Sequence, residues 1–296
     1  MKKAFVLGVL FLLVSGGKII FAGPIKVFVS VVPQKYFVQR IGGDQVDVSV
    51  MVEPGARPAT YEPKPKQMVA LAETKIYYAI GVPFEKAWLE KIADTNPDML
   101  IVHTEAGIAK MPMKTHYNHK QGEHTQHHHG IKDPHVWLSP PLVMVQARNI
   151  LQALRFVDPV HRSFYEAGYK KFITEVLDLD AELRGIFAKT GKDIQFIVLH
   201  PAWGYFAHAY GLEQVPIEIQ GKEPRPAEFR HLIRHARESG IKVVFVQPQF
   251  STNSAKTMAK AVGGQIAFVD PLALDWTSNL REVAAKFKAA LKRGHQ

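Results

Sequence analysis

The 296-residue sequence contains no cysteine. Without thiols there can be no disulfide framework, no thiolate nucleophile, no cysteine-type zinc site and no lipid-modified N-terminal cysteine. Any bound metal must therefore be held by nitrogen and oxygen atoms. Beyond the N-terminal segment, no apolar run approaches the roughly 20 residues that a membrane-spanning helix requires. The composition, 47% hydrophobic and 22% charged, is that of a folded chain and excludes disorder as its main state.

The N-terminal segment has the pattern of a secretory signal peptide. Two lysines precede an apolar run over residues 4–14, and small residues occur up to Ala22. The run is too short for a membrane anchor, because two glycines and Lys18 interrupt it. We therefore expect residues 1–22 to be removed on export. The mature chain is expected to be periplasmic, with no lipid anchor because no cysteine is available for one.

Basic residues outnumber acidic ones by 37 to 27, which would suit an anionic partner. Three of the lysines lie in the segment that we expect to be removed, and the remaining basic residues are dispersed along the chain. Nucleic acid is therefore not expected as a partner, because nucleic-acid binding proteins gather their basic residues in a patch or stripe.

The mature chain alternates short β-branched runs with longer helical patterns. This alternation is typical of βαβ units with a mostly parallel sheet. Predicted strands lie at residues 25–32, 46–52, 76–80, 99–102, 195–199, 215–219, 242–246 and 265–269. Predicted helices lie at residues 67–73, 84–93 and 226–239. The fold class is therefore α/β, with two lobes that each contain a mostly parallel sheet.

A long helix is predicted between the two lobes, because residues 160–189 carry apolar side chains at helical intervals and no proline. Such a helix would join the lobes rigidly and allow mainly small tilts. The alternative is two shorter helices with a break near Gly168. We expect an N-terminal lobe at residues 23–158, the linking helix at 159–189 and a C-terminal lobe at 190–296.

A histidine-rich segment at residues 116–129 holds six of the 14 histidines and almost no apolar residue. It cannot pack a core, so it is expected to be a solvated loop. Imidazole nitrogen suits zinc, copper, nickel and iron better than magnesium or calcium. The loop indicates weak affinity for such metals, but not what the protein does with them.

Three further residues that could bind a metal lie at predicted strand ends or in the loops near them. His135 lies in a proline-stiffened loop just after the histidine-rich segment, His200 follows a predicted strand, and Asp270 ends another. In open parallel sheets, ligands bind beyond the carboxyl ends of the strands. Each residue alone would more often be structural, and it is their agreement in position that indicates a site.

Several motifs follow one another in order along the mature chain. They are PGARPATYEP (54–63), FEKAW (84–88), DPHVWL (133–138), HPAWGYF (200–206), VQPQF (246–250) and VDPL (269–272). With these motifs, residues 25–291 resemble the zinc and manganese solute-binding proteins of ABC transporters, the cluster A-I or ZnuA-like group. The resemblance implies two α/β lobes joined by one long backbone helix, a metal bound in the cleft between them and its delivery to a membrane permease. Zinc members of this family often carry a loop rich in histidine and acidic residues where this chain has residues 116–129.

The resemblance also implies metal ligands. The family's second ligand falls on His135, its third on His200 and its acidic fourth on Asp270. Manganese members tend to have glutamate at the third position, so His200 resembles the zinc subgroup, and imidazole in place of a hard carboxylate shifts preference toward zinc. The first ligand departs from the family pattern, because Ala59 stands where the family usually has histidine.

An alanine cannot bind a cation, so two histidines and one aspartate remain. Zinc takes four ligands in structural sites, and three plus a water or substrate in catalytic ones. The missing position could be filled by water, by Glu62 or by a histidine of the 116–129 loop, or tight binding could be lost. We favour water or a loop histidine, because Glu62 lies three residues further along the chain.

The expected function is capture of Zn²⁺ as the transported ligand, with Mn²⁺ or another divalent metal as a weaker alternative. The expected partners are an ABC permease and its ATPase, and the protein is expected to be a monomer and not an enzyme. One rival is a zinc-dependent hydrolase with an open three-ligand site, although the sequence has no HExxH and no nucleophile-elbow motif. The other rival is a metal buffer or adhesin without a transport role.

Overall fold

The computed structural model describes residues 23–113, 131–188, 194–218 and 222–293. The predicted signal peptide (1–22) and the histidine-rich loop (116–129) lie outside these residues. Within the described ranges, no helix combines the length and the apolar character needed to cross a membrane.

The first half of the chain forms a parallel sheet flanked by helices. Its strands are β1 (Ile25–Val29), β2 (Val46–Val50), β3 (Ile76–Ala79) and β4 (Leu100–His103). They lie in the order β2-β1-β3-β4, and Val27 of β1 is paired with Val48 on one side and with Ile76 on the other. Its helices are α1 (Val32–Gly42), α2 (Pro65–Leu71), α3 (Glu85–Thr95) and α4 (Pro140–Val157). Strand β3 is buried over its whole length, as expected for a central strand of a parallel sheet covered on both faces.

One continuous helix, α5 (Arg162–Phe187), follows the first sheet. Its 26 residues span about 39 Å at 1.5 Å per residue. The alternative break near Gly168 is wrong, because this glycine lies inside the helix at its closest approach to α1. A Cβ atom at Gly168 would lie 2.3 Å from the carbonyl oxygen of Ile41. The glycine therefore serves close helix packing and does not end the helix.

The second half of the chain repeats the arrangement. Its strands are β5 (Ile194–Val198), β6 (Leu212–Pro216), β7 (Val243–Val246) and β8 (Gln265–Phe268), all parallel and in the order β6-β5-β7-β8. Its helices are α6 (Gly204–Ala209), α7 (Pro226–Glu238), α8 (Asn253–Ala261) and α9 (Trp276–Arg293). Helix α9 packs back against α5. The predicted fold class, α/β with two mostly parallel sheets and a long helix between them, is confirmed.

The predicted strand at 215–219 is misplaced, because β6 begins three residues earlier, at Leu212. Gly211 adopts a φ of 69°, a conformation open to glycine, and turns the chain directly from α6 into β6. The start of β6 is not predicted because Glu213 and Gln214 are polar and interrupt the apolar pattern of the strand. Gln214 is nevertheless buried, because its side chain accepts a hydrogen bond from the backbone N–H of Trp203.

The two halves share an apolar core at the base of the cleft between them. The indole of Trp276 on α9 packs edge-on against Phe37 of α1, with ring centres 5.2 Å apart. Its Nε1 donates to the carbonyl oxygen of Trp137 at 2.7 Å, and Nε1 of Trp137 donates to the carbonyl oxygen of Pro271 at 2.7 Å. These bonds tie the loop that carries His135 to the loop that carries Asp270.

Candidate metal site in the cleft

The three predicted ligands lie in loops at the ends of elements. His135 directly precedes a short 3-10 turn, Val136–Leu138, which leads toward α4. His200 comes two residues after the end of β5, and Asp270 comes two residues after the end of β8. Since β5 and β8 are parallel strands of one sheet, His200 and Asp270 lie at the same, carboxyl edge of it.

The structure brings the rings of His135 and His200 together across the cleft in an edge-to-face arrangement. Their ring centres lie 5.3 Å apart, with the ring planes inclined by 74°. Zinc–nitrogen bonds of about 2.1 Å at a tetrahedral angle place the centres of two ligating imidazoles about 5 Å apart. The pair therefore has the spacing needed to share one ion.

A carboxylate holds each imidazole by its Nδ1 atom. Asp133 Oδ1 lies 2.7 Å from Nδ1 of His135 and also accepts that residue's backbone N–H. Glu218 Oε2 lies 2.9 Å from Nδ1 of His200. This pairing assigns the proton of the neutral ring to Nδ1 and leaves Nε2 free for an ion, the arrangement that outer carboxylates impose on metal-binding histidines.

Burial affects the protonation of His200. It lowers the pKa of His200 below the usual histidine value, while the hydrogen bond from the ring to Glu218 acts in the opposite direction. Desolvation disfavours the imidazolium form of a buried ring. A neutral imidazole is the form that binds a metal, so burial favours binding at neutral pH.

The two histidines form part of the wall of a cavity of about 150 Å³. Most of the remaining wall is apolar, and its polar members include Arg57 and Gln249. The lining residues are Arg57, Pro58, Ala59, Val82, Pro83, Met113, Ile131, Pro134, His135, Trp137, His200, Gln249, Phe250, Pro271 and Leu272. An apolar wall restricts water and strengthens the interaction of an ion with its ligands.

Asp270 is held by hydrogen bonds to residues that line the cavity. Its Oδ1 accepts hydrogen bonds from Nε2 of Gln249 at 2.8 Å and from the backbone N–H of Leu272 at 2.9 Å. Gln249, Pro271 and Leu272 line the cavity, whereas Asp270 is not one of the lining residues. Across the described ranges, no three His, Asp or Glu residues come together with the spacing of a metal site. The structure therefore joins His135 to His200, whereas Asp270 is hydrogen-bonded to Gln249 and is not one of the residues that line the cavity.

Ala59 lines the cavity, so the position of the absent histidine faces the same space as the two present ones. Glu62 is exposed and is not one of the residues that line the cavity. Glu62 therefore has less support from this structure than water as a replacement for the missing ligand. The histidines of the 116–129 loop lie outside the described residues, so that alternative stays open.

Sequence reasoning missed the two carboxylates that hold the imidazoles. The position of Asp133 could have identified it, because it lies two residues before His135 in a proline-stiffened loop. Nothing in the sequence identifies Glu218, because it is 18 residues from His200 and is predicted to lie within a strand at 215–219. With β6 ending at Pro216, Glu218 lies at the carboxyl edge of the sheet, beside the metal candidates.

A protein-family model described as "ZnuA: Zinc-uptake complex component A periplasmic" matches residues 27–290. The chain belongs to this family. The ZnuA family consists of periplasmic solute-binding components of transport systems, and the resemblance seen in the sequence motifs is confirmed.

Individual relatives of the ZnuA family cover most of the chain. "High-affinity zinc uptake system protein ZnuA" of Bacillus subtilis (strain 168) is 29% identical over 244 residues, which cover 81% of this chain and 76% of the relative. "Iron-binding protein YfeA" of Yersinia pestis is 30% identical over 241 residues, which cover 79% and 74%. A solved structure, "Crystal structure of ZnuA", has 41% sequence identity and a TM-score of 0.83, and covers 90% of this chain and 99% of its own.

Proposed function

We propose that this chain captures zinc in the periplasm and delivers it to the permease of an ABC transporter, which works with its own ATPase. The observation that carries the proposal is the pair formed by His135, which is buried, and His200, which is partly buried. Their ring centres lie 5.3 Å apart in the cleft, and each ring is fixed by a carboxylate on Nδ1. Membership of the ZnuA family supports the transport role.

Zinc suits this pair better than harder divalent ions. Two neutral imidazoles are borderline ligands that suit zinc, whereas manganese, magnesium and calcium prefer carboxylate, carbonyl and water oxygens. The relative from Yersinia pestis is named as an iron-binding protein, so the family as a whole does not decide the metal. The choice of zinc for this chain rests on its own imidazoles, with manganese or another divalent metal as the weaker candidate.

The proposed protein ligands are His135, His200 and Asp270. For Asp270 to reach the ion, its carboxylate must leave Gln249 or use the oxygen that does not accept from Gln249 and Leu272. Because His200 and Asp270 follow strands of the same sheet, the movement that brings Asp270 toward His200 is a rearrangement within the loop after β8 and not a tilt of the two sheets.

The compartment and the boundaries belong to the same proposal. Residues 1–22 act as a cleaved signal peptide, and the mature monomer has no lipid anchor, because the sequence offers no cysteine to carry one. The functional units are the lobe at 23–158, the helix segment at 159–189 and the lobe at 190–296.

Isothermal titration of the purified protein with zinc tests the site. We expect one tight zinc ion per chain in the wild type and a loss of at least about tenfold in affinity in His135→Ala, His200→Ala and Asp270→Ala, since even outer partners of a metal site are worth that much. His208→Ala is the matched control, because His208 is exposed on α6. Wild-type affinity in both His135→Ala and His200→Ala would contradict the site.

Growth under zinc starvation tests the role. A strain that lacks the protein should regain growth when the wild type is supplied, and not when the double variant His135→Ala and His200→Ala is supplied. A passive buffer or adhesin predicts no growth defect that depends on zinc. A hydrolase predicts turnover of ester or peptide substrates by the zinc-loaded protein, which we do not expect.

A further inference from the structure

A positive charge stands in the wall of the zinc cavity. The guanidinium carbon of Arg57 lies 4.1 Å from the centre of the Phe250 ring. The same ring stacks on His200, with ring centres 4.7 Å apart and planes inclined by 21°. Arg57 is therefore held beside a proposed zinc ligand, and it belongs to the same segment as Ala59.

The hydrogen-bonding capacity of Arg57 is not used up by the described part of the chain. Its Nε is buried and has no hydrogen-bond partner among the described residues. Its contact with Glu218 is 3.9 Å long, beyond hydrogen-bond distance. The other oxygen of Glu218 already accepts from His200. A planar guanidinium with free N–H groups is the side chain best suited to bind a carboxylate in a bidentate manner.

The cavity has room for more than an ion. One water needs about 10–15 Å³ of space of this kind, so a cavity of about 150 Å³ holds roughly ten times that amount. Ala59 contributes only a methyl group to the wall of this space. Gln249 adds a buried Oε1 in the wall that has no hydrogen-bond partner among the described residues and can accept from a hydroxyl group.

The charges around this space are mixed. The side chain of Arg57 is 38% exposed and lies 3.9 Å from Glu218, so that carboxylate and solvent offset part of its repulsion of a zinc ion near His200. An anion placed between the zinc ion and the guanidinium is attracted by both. A carboxylate bound to zinc at the position that Ala59 leaves open would also supply the ligand that the protein lacks.

On the basis of the proposed zinc site, we propose that this protein takes up its metal as a complex with a small polycarboxylate chelator. One carboxylate of the chelator completes the coordination of zinc beside His135 and His200. A second carboxylate binds the guanidinium of Arg57. The chelator is thus part of the transported cargo.

Equilibrium dialysis with radiolabelled citrate tests the inference on the purified full chain. With zinc present, we expect the wild type to retain about one citrate per chain, and without zinc to retain none. Labelled acetate, which has a single carboxylate, should not be retained. Arg57→Ala should reduce zinc-dependent citrate retention at least tenfold, because it removes the guanidinium that binds the second carboxylate.

Two further variants keep the result interpretable. Arg162→Ala removes an exposed arginine at the start of α5 and should retain citrate like the wild type. Arg57→Lys keeps the charge but not the planar fork, and should retain citrate more weakly than the wild type and more strongly than Arg57→Ala.

Zinc binding without citrate, measured in parallel, separates this inference from the proposed function. Zinc bound with no citrate retained would overturn the chelator and leave zinc capture standing. Equal citrate retention by the wild type and Arg57→Ala would also overturn it. If zinc is not bound either with or without citrate, both proposals are wrong.

Discussion

Glu218 lies 2.9 Å from His200, with its Oε2 atom against Nδ1 of the imidazole. The two residues come from neighbouring strands of one sheet, since His200 follows β5 and Glu218 follows β6. The backbone N–H of Glu218 donates to the carbonyl oxygen of Leu199, which fixes the two loops against each other. The sheet therefore sets the orientation of the ring through backbone bonds as well as through the carboxylate.

The first prediction concerns this carboxylate. Glu218→Gln keeps the size of the side chain and can still accept from Nδ1–H, but it removes the negative charge that raises the basicity of the imidazole. We expect zinc affinity to fall about tenfold, within the range that outer partners of metal ligands contribute. Competition titration against a zinc-sensitive dye measures the change.

Glu62→Gln is the control for the same substitution, because Glu62 is exposed and is not one of the cavity-lining residues. It should leave zinc affinity unchanged. An equal loss in both variants would show that Glu62 reaches the ion after all and that the placement of the fourth ligand is wrong.

The second prediction restores the histidine that the family pattern leads one to expect. Ala59→His places an imidazole in the wall of the cavity that His135 and His200 already share. We expect zinc affinity to rise about tenfold or more, because a histidine of the protein replaces a ligand supplied by the solvent. Changes in residues that only contact the ligands already alter metal affinity about tenfold. Calorimetric titration in buffer free of chelators measures the gain.

Thr60→His is the matched control, since Thr60 is the exposed neighbour of Ala59 and is not one of the residues that line the cavity. It adds the same imidazole outside the site and should change the affinity little. Unchanged affinity in Ala59→His would mean that the cavity wall at this position does not face the ion.

Most of the fold can be predicted from the sequence because the apolar residues recur with the spacing of strands and helices. Seven of the eight strands lie where β-branched runs predict them, and α5 lies where apolar residues recur at helical spacing. Strand β6 is the exception, because its interior glutamine is buried through hydrogen bonds and not through apolar packing. The spacing of apolar residues does not predict the burial of a polar side chain whose hydrogen-bond partners belong to another element of the fold.

The candidate site is predictable in part for the same reason. His135, His200 and Asp270 stand out as polar residues beside apolar strands, yet their mutual distances depend on how the two sheets meet. The structure places the histidines together and holds Asp270 through Gln249, a contact between loops 21 residues apart. The roles of Arg57 and Glu218 could not be predicted from the sequence. They depend on the fold, which brings the end of β6 and the 54–63 segment close to His200.

The third prediction tests whether α5 is a rigid connection between the two sheets. Gly168 lies where α1 crosses α5, and a Cβ atom there would lie 2.3 Å from the carbonyl oxygen of Ile41. Gly168→Ala must therefore push the two helices apart. We expect it to lower the free energy of unfolding by about 1–3 kcal/mol, the usual cost of overpacking a tight contact.

The same helix contains its own control. Gly185 is exposed on α5, and a Cβ atom there would meet nothing within 4 Å. Gly185→Ala should raise the free energy of unfolding by about 0.5–1 kcal/mol, because alanine is the better helix former. Urea denaturation of the two variants measures both changes, and opposite signs are expected. If Gly168→Ala were as stable as Gly185→Ala, α1 and α5 would not be in the close contact that fixes the first sheet to the long helix, and the cleft would be free to open widely.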